Sequence, residues 1–418
     1  MNAFFIALRR GLRHDLVQVL LAAAAVALSC ALLLTVRSTQ SQAGQALLAA
    51  GGGFDGIVGS RGSQMQLVLC GIYHLEPAPG NLSWSLVKAL QKDRRVISAV
   101  PICVGDNYRG FRIVATSESL FSGPGLLASR APRFQAGRGF DPLAREAVLG
   151  SLAAKQAGLK LGDSFSPFHG LSYNPDGHQH LDQVLTVVGI LEATGTPADR
   201  VIWTPLETHF RMSGHVLRGG GGEYVSKPGE EIPEEVKEVS AVLIRCRNPL
   251  VMWSLKEEIN LRGSVATMAD VRSSVADFSQ RLDGGVKLLG LVAMVTAVSA
   301  ALGILGGTLS LLERRRREFA VLRVMGARRR WLAALILAHA ASVALLGALT
   351  GGFLYLGLAS GAAAAVQERS GLVLQVLPRD PVLAAIPAGM VILALFAALL
   401  PAWQAYRGDL AANLGQRE

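Results

Sequence analysis

The sequence predicts a membrane α-helical protein with four transmembrane helices and one large α+β domain outside the bilayer. Three observations predict it. Half of the 418 residues are hydrophobic and only 17% are charged, a balance soluble domains seldom have. The apolar excess is gathered into four runs free of Asp, Glu, Lys and Arg, at 16–36, 288–312, 331–358 and 381–406. The intervening segment 37–287 is too polar and too broken by Gly and Pro to span.

At about 1.5 Å per residue, the 21 residues of 16–36 reach roughly 31 Å, the thickness of a hydrocarbon core. One such run can be a buried helix, but four of spanning length argue for a membrane. Arg9, Arg10 and Arg13 resemble the basic start of a signal peptide. A cleavable apolar core is about 7–15 residues, so the longer first run is expected to stay as an anchor. The third run stays uncharged to Val366, and its span is expected to end near 358, just past Gly351 and Gly352.

Orientation follows from the basic residues beside the spans, which resist translocation. The 1–15 segment is basic, and the loop 313–330 holds Arg314 to Arg317, Arg323 and Arg328 to Arg330. The loop 359–380 offsets Arg369 and Arg379 with Glu368 and Asp380. Both termini, including the 407–418 tail, and the Arg-rich loop are therefore expected in the cytoplasm, with 37–287 outside. The net charge of +10 lies largely in these juxtamembrane clusters, which favours contact with anionic membrane lipids over nucleic acid. Cys70, Cys103 and Cys246 fall in the exterior segment, an odd number that permits at most one disulfide within it.

Short apolar runs at 54–58, 66–72, 97–104 and 111–115 read as strands, with a helix over 84–92. A β-α-β pattern follows at 241–246, 250–259 and 265–268. These units flank an insertion, 122–233, with an expected helix over 145–159 ending at Gly158, and strands over 185–191 and 200–203. Gly and acidic residues dominate 214–238, which reads as a loop. Val275, Phe278, Leu282 and Val286 recur at helical spacing, so 272–287 is expected to run into the second span as a helix.

The cytoplasmic stretch Glu313-Arg-Arg-Arg-Arg-Glu-Phe-Ala-Val-Leu-Arg-Val-Met-Gly-Ala327 resembles the segment after the second span in ABC-transporter permeases of the MacB/FtsX/LolC-LolE type. Glu146-Ala-Val-Leu-Gly150, Ala157-Gly-Leu-Lys-Leu-Gly-Asp163 and Val187-Val-Gly-Ile-Leu-Glu-Ala-Thr-Gly-Thr-Pro-Ala-Asp-Arg200 look like the insertion of the MacB-type periplasmic domain. The resemblance spans most of the chain. It implies a periplasmic domain of MacB-like porter and insertion architecture, a bacterial inner-membrane location, and mechanotransmission in the type VII manner. It also implies that Glu313, Arg317, Glu318, Phe319, Leu322, Arg323, Met325 and Gly326 form a coupling helix on a cytoplasmic ABC ATPase dimer. Read without the family, Phe319, Leu322 and Met325 make a narrow apolar stripe, and most of the Arg residues read as a solvated, lipid-facing set.

No GxxxxGK[ST] phosphate loop occurs, so ATP and Mg²⁺ are expected on a separate partner rather than fused as in MacB, and this chain is not expected to be an enzyme. Four spans per subunit suggest a pair of copies, a homodimer being the simplest. The resemblance leaves open a periplasmic adaptor or lipoprotein partner, and export or extraction of a substrate. A second expectation is an FtsX-like regulator of cell-wall hydrolases, although FtsX-type exterior domains are much smaller than this one.

One exterior stretch carries candidate metal ligands: His169, Asp176, His178, His180 and Asp182. On an extended strand His178 and His180 share a side, and with His169 and Asp182 they offer a donor set suited to zinc. That pattern leaves a zinc-linked transport system open. The alternative is an ordinary turn at Asn174-Pro-Asp-Gly177. His74, His209 and His215 stand alone in sequence, and Asp106 to Gly110 reads as a turn or a contact patch. His339, inside the third span, is expected to face protein.

Overall fold

A computed structural model describes residues 2–122, 131–212, 215, 217–218, 222–227, 230–262 and 265–407. The chain forms two compact units, one of Met1–Gln42, Arg281–Ala363 and Gln375–Glu418, the other of Ala43–Gln280 and Ala364–Leu374. In chain order the elements are α1 (Asn2–His14), α2 (Leu16–Ala50), β1 (Gly56–Ser60), α3 (Gln64–Gly71), β2 (Leu82–Ser83), α4 (Trp84–Lys92), β3 (Val96–Tyr108) and β4 (Phe111–Thr116). Next come β5 (Phe134–Gly137), β6 (Glu146–Leu149), α5 (Ser151–Ala157), β7 (Ser164–Phe165), β8 (Phe168–His169), β9 (Leu185–Leu191), β10 (Val201–Pro205) and α6 (Leu206–Phe210). The chain closes with β11 (Glu238–Val239), β12 (Ala241–Cys246), α7 (Pro249–Arg262), β13 (Ala266–Asp270), α8 (Val271–Arg314), α9 (Arg316–Val324), α10 (Arg329–Ser370) and α11 (Pro381–Arg407).

The globular unit is built on one mixed sheet in the order β13-β1-β12-β3-β4-β10-β6-β9-β5, with β7 beside β9 and β8 beside β3. Side chains alternate across its central strands. Ile57, Val100, Ile102 and Leu243 point to one face, where Leu67 and Val68 of α3 cover them. Val58, Ala99, Cys103, Val242 and Ile244 point to the other, under Val87 and Leu90 of α4 and Met252 and Leu255 of α7. Each fully buried aliphatic contributes about 1.5–3 kcal/mol, so the sheet is held from both sides.

Several sequence expectations need correction here. Residues 66–71 of the run 66–72 are helical, part of α3, because Ser63 caps it by accepting from the Gln66 amide, an ST-type start that outweighs the β-branched pattern. The expected helix over 145–159 is strand β6 followed by α5, which ends at Gly158 in the left-handed region, φ 71°. The expected insertion, 122–233, gathers a core cluster of its own, in which Ala147, Leu149, Ala153, Phe165, Leu185 and Val187 pack with Phe111 and Ile113 of β4, and it is joined to the rest through the sheet. Its strand β10 lies parallel to β4, pairing Val201 with Arg112 through Pro205 with Thr116, so its strands continue the same sheet. Part of the 214–238 loop, including Gly219 to Gly221, lies outside the described residues, while Leu217 and Tyr224 pair across it. Cys70, Cys103 and Cys246 are free and buried. Burial pushes the Cys70 and Cys103 thiols up to about 12 and that of Cys246 up to about 11, which leaves them unreactive.

Among the described residues, four helices are long and apolar enough to cross a membrane: Leu16–Gln42, Val271–Arg314, Arg329–Ser370 and Pro381–Arg407. Helix α10 continues past the expected end at 358 to Ser370, so the first half of the expected 359–380 loop is helical. The basic segment before the first span folds as the amphipathic helix α1. Helix contacts are made by small residues, among them Ala31, Ala297, Ala300, Ala340, Ala344, Ala394 and Ala398, since close packing rather than water exclusion joins helices in lipid. Gly347 and Gly351, one turn apart, carry this furthest. A Cβ on Gly347 would lie 2.6 Å from the Ala23 carbonyl oxygen, and one on Gly351 2.6 Å from that of Ala27. Helices α2 and α10 therefore touch backbone to backbone. Beyond that contact, Arg37 pairs with Asp380 at 2.7 Å, and Gln42 exchanges two hydrogen bonds with the Gln375 backbone.

Gly347→Ala and Gly351→Ala are expected to lower stability by about 1–3 kcal/mol each through overpacking, read as a lower Tm of the full chain in detergent. Gly357→Ala, with nothing within 4 Å of its new methyl, is expected to leave Tm in place.

A second prediction concerns His74, buried with its ring edge-on to Trp203 at 5.5 Å. Burial, reinforced by the nearby Arg112 charge, pushes its pKa from 6.5 down to about 4. A depressed folded pKa gives stability that is fully present above the unfolded value and is lost as pH falls through the folded one. Between pH 7 and 4 wild type is expected to lose about 3 kcal/mol that His74→Phe retains, seen as a flatter Tm-against-pH profile for the variant.

Candidate functional site

Two groups of residues stand out, one in each unit. In the globular unit strand β3 runs out to Asp106, whose side chain is 1% exposed. The pairing of β3 with β4 slips between Val104 and Asp106, leaving Gly105 as an extra residue. Such a bulge reverses the alternation. Even-numbered Val100 and Ile102 face the α3 side, yet Asp106 comes to lie with the His209-to-His215 segment that flanks Phe210 and Leu217, on the Cys103 side.

Four imidazoles surround the Asp106 carboxylate. Strand β8 pairs with β3 so that His169 stands opposite Asp106, with Nδ1 3.4 Å from Oδ1. His180 Nε2 is 3.3 Å and His215 Nε2 3.2 Å from the same oxygen, while His209 Nδ1 is 3.7 Å from Oδ2. The backbone fixes these positions. The Gly170 amide donates to the Gly105 carbonyl, the His169 amide to that of His178, and the His180 amide to that of Pro167. Buried Asn107 donates from Nδ2 to the Gly170 carbonyl at 2.7 Å. Burial by itself would raise the Asp106 pKa, but contacts from His169, His180, His209 and His215 outweigh it and hold the carboxyl well below its usual range. The Asp106 contact raises His169, and burial lowers His209.

Of the residues expected to bind metal, His169 and His180 belong to this cluster. His178 does not reach it. It is exposed, with its ring 5.1 Å from that of His180. Asp182 also turns away, its carboxylate accepting from Gln183 and its carbonyl from Arg145, because the chain leaves the strand after His180. Asn174 to Gly177 form the turn their residue types favour, closed by the Gly177 amide on the Asn174 carbonyl. The sequence reading missed Asp106, His209 and His215. The available signal was a carboxylate next to Gly105, following the apolar run Ala99 to Val104.

In the helical unit, Glu313 and Arg314 end α8, and α9 follows at once. Gly326, at φ 97°, turns the chain toward α10. Phe319 is 8% exposed and packs with Leu332 and Leu335, while Leu322, Trp331 and Phe4 close around it. Phe319 and Leu322 are thus anchors within the chain and not an exposed stripe with Met325. The outward apolar residues are Val321, Val324 and Met325, exposed by 51%, 68% and 70%. Glu318, Arg317 and Gly326 are exposed beside them, and Arg323 is half-buried. Arg315 pairs with buried Asp15 at 3.3 Å, joining α9 to the α1–α2 corner. His339, also buried, lines a recess with Asp15, Gln18 and Thr308.

Residues 19–261 match the family model of the MacB-like periplasmic core domain, and residues 290–410 that of the FtsX-like permease C-terminal. Among solved structures, the periplasmic region of MacB from Actinobacillus actinomycetemcomitans matches at 14% identity and TM-score 0.34, over 56% of this chain and 94% of that one. The extracellular domain of the noncanonic ABC-type transporter YknZ from Gram-positive bacteria matches at 13% identity and TM-score 0.30, over 51% of this chain and 98% of its own. No curated protein matches.

Phe319→Ala is expected to cost about 3 kcal/mol by opening a cavity among Leu332, Leu335 and Trp331, measured by thermal unfolding in detergent. Val324→Ser, at the exposed face, is expected to change stability by less than about 0.5 kcal/mol.

Proposed function

Since this chain belongs to the MacB/FtsX family of ABC-transporter permeases and is a multi-pass membrane subunit of that kind, we propose that it converts ATP hydrolysis on a separate cytoplasmic ATPase into movement of its globular unit. The family couples permeases of this type to ATPase partners, and the sequence carries no phosphate-binding loop of its own. The observation that carries the proposal is the build of α9. Phe319 and Leu322 fasten it to the ends of α8, α10 and α1, while Val321, Val324 and Met325 face outward.

A short helix anchored on one side and apolar on the other transmits a push. A partner that grips Val321, Val324 and Met325 moves Phe319, and Phe319 moves the helices packed on it. Glu318 and Arg317 flank the apolar strip and set the partner's register through charge. In this reading α1, α9 and both termini lie on the cytoplasmic side of the inner membrane, where the Arg clusters favour them, and the globular unit lies outside. Two copies engage an ATPase dimer, and the stroke serves export or extraction of a substrate.

The test is a tagged chain co-expressed with its ATPase subunit and purified in nanodiscs. Val324→Asp with Met325→Asp is expected to leave the chain folded and to cut ATPase association and turnover more than tenfold. Normal turnover by that double variant would exclude α9 as the contact.

A further inference from the structure

The Asp106 cluster lies far from α9 in sequence and takes no part in the coupling reading. Its geometry is poor as hydrogen bonding. Charge-assisted N–H···O contacts to a carboxylate lie near 2.7–2.9 Å, whereas the three imidazole nitrogens crowd a single oxygen, Oδ1, at 3.2, 3.3 and 3.4 Å. Meanwhile Oδ2 is buried and has no hydrogen-bond partner, although buried polar atoms are almost always satisfied.

The same geometry is good as coordination. Four ligands about 2.0–2.1 Å from a tetrahedral ion are spaced about 3.3–3.4 Å from one another. The distances from Oδ1 to the three imidazoles match that edge length, and all four donor atoms lie within 4.8 Å of one another. We propose that Asp106, His169, His180 and His215 form a mononuclear site for a borderline divalent transition metal, with Zn²⁺ the best fit. Three imidazoles and one monodentate carboxylate are a donor set that Ca²⁺ and Mg²⁺ do not favour. His209 stands behind the carboxylate, its Nδ1 3.7 Å from Oδ2, placed to orient it once an ion draws on Oδ1. His180, Asp106 and His215 form the buried floor, and half-exposed His169 stands at the mouth where an ion enters.

The ligands come from three places: the end of β3, the 168–180 hairpin, and the segment after α6. A bound ion therefore cross-links three parts of the globular unit, and metal occupancy sets how firmly the hairpin is held.

The test uses the full chain in detergent, stripped with chelator and dialysed against zinc, with metal content read by elemental analysis. Wild type is expected to hold one zinc per chain. Its cobalt(II) form is expected to show the intense visible bands of a four-coordinate ion. His169→Gln with His215→Gln is expected to lose both signals, and His178→Gln with Asp182→Asn to keep both. His209→Gln is expected to keep the cobalt spectrum while zinc affinity falls roughly 10–100-fold. Metal-free melting curves establish that each variant is folded. Should the double variant prove unfolded, the wild-type cobalt spectrum and the single exposed-edge His169→Gln decide the matter. Failure of wild type to retain zinc, a six-coordinate cobalt spectrum, or unchanged zinc content in a folded His169→Gln/His215→Gln variant would each overturn the proposal.

Discussion

The pairing of β3 with β12 on one side and β4 on the other is the contact on which the globular unit depends. Ala241 through Arg245 lie against Ile102 through Ser98, so segments about 140 residues apart in sequence close one layer. Because β4 in turn pairs with β10, the strands β5 to β9 that lie between them in sequence belong to the same sheet. The bulge at Gly105 sits on that strand as well. One extra residue there decides which face receives Asp106, and so whether the carboxylate meets aliphatic side chains or imidazoles.

The helical architecture was legible because the membrane requires long runs without charge, and composition reports that directly. Helix ends were less so. The Arg329–Ser370 helix outlasts its apolar run because Gln367, Glu368 and Arg369 are helix formers, and length beyond the bilayer leaves no mark on hydropathy. In the globular unit the strongly apolar strands β4, β9 and β12 were readable within a residue or two. The errors fell where local chemistry competed with pattern: Ser63 capping α3, and Gly150 breaking the 145–159 run into strand and helix.

The His cluster was half legible for a different reason. His169 and His180 are near in sequence, and a strand's two-residue period relates His178 to His180. Asp106 and His215 lie 63 and 46 residues from His169, and only strand register and the path after α6 bring them together. Nothing in the local sequence encodes that approach. The coupling segment illustrates the complementary difficulty. Phe319, Leu322 and Met325 share helical spacing, but which of them faces inward depends on Phe4, Trp331 and Leu335 arriving from other helices.

The Gly347 and Gly351 contact has a further mechanical meaning. Ordinary helix pairs interdigitate side chains and can ratchet past one another by hopping between grooves. Here the α10 glycines bring its main chain against the Ala23 and Ala27 carbonyls and the side chains of Val26 and Cys30, with no side chain on the α10 side of the contact. Movement of α10 along its axis would carry Gly347 and Gly351 off Ala23 and Ala27, where only a hydrogen fits, so the pair resists shear. The first and third spans thus behave as a single stiff beam, against which the second and fourth pack through Ala297, Ala300, Ala394 and Ala398.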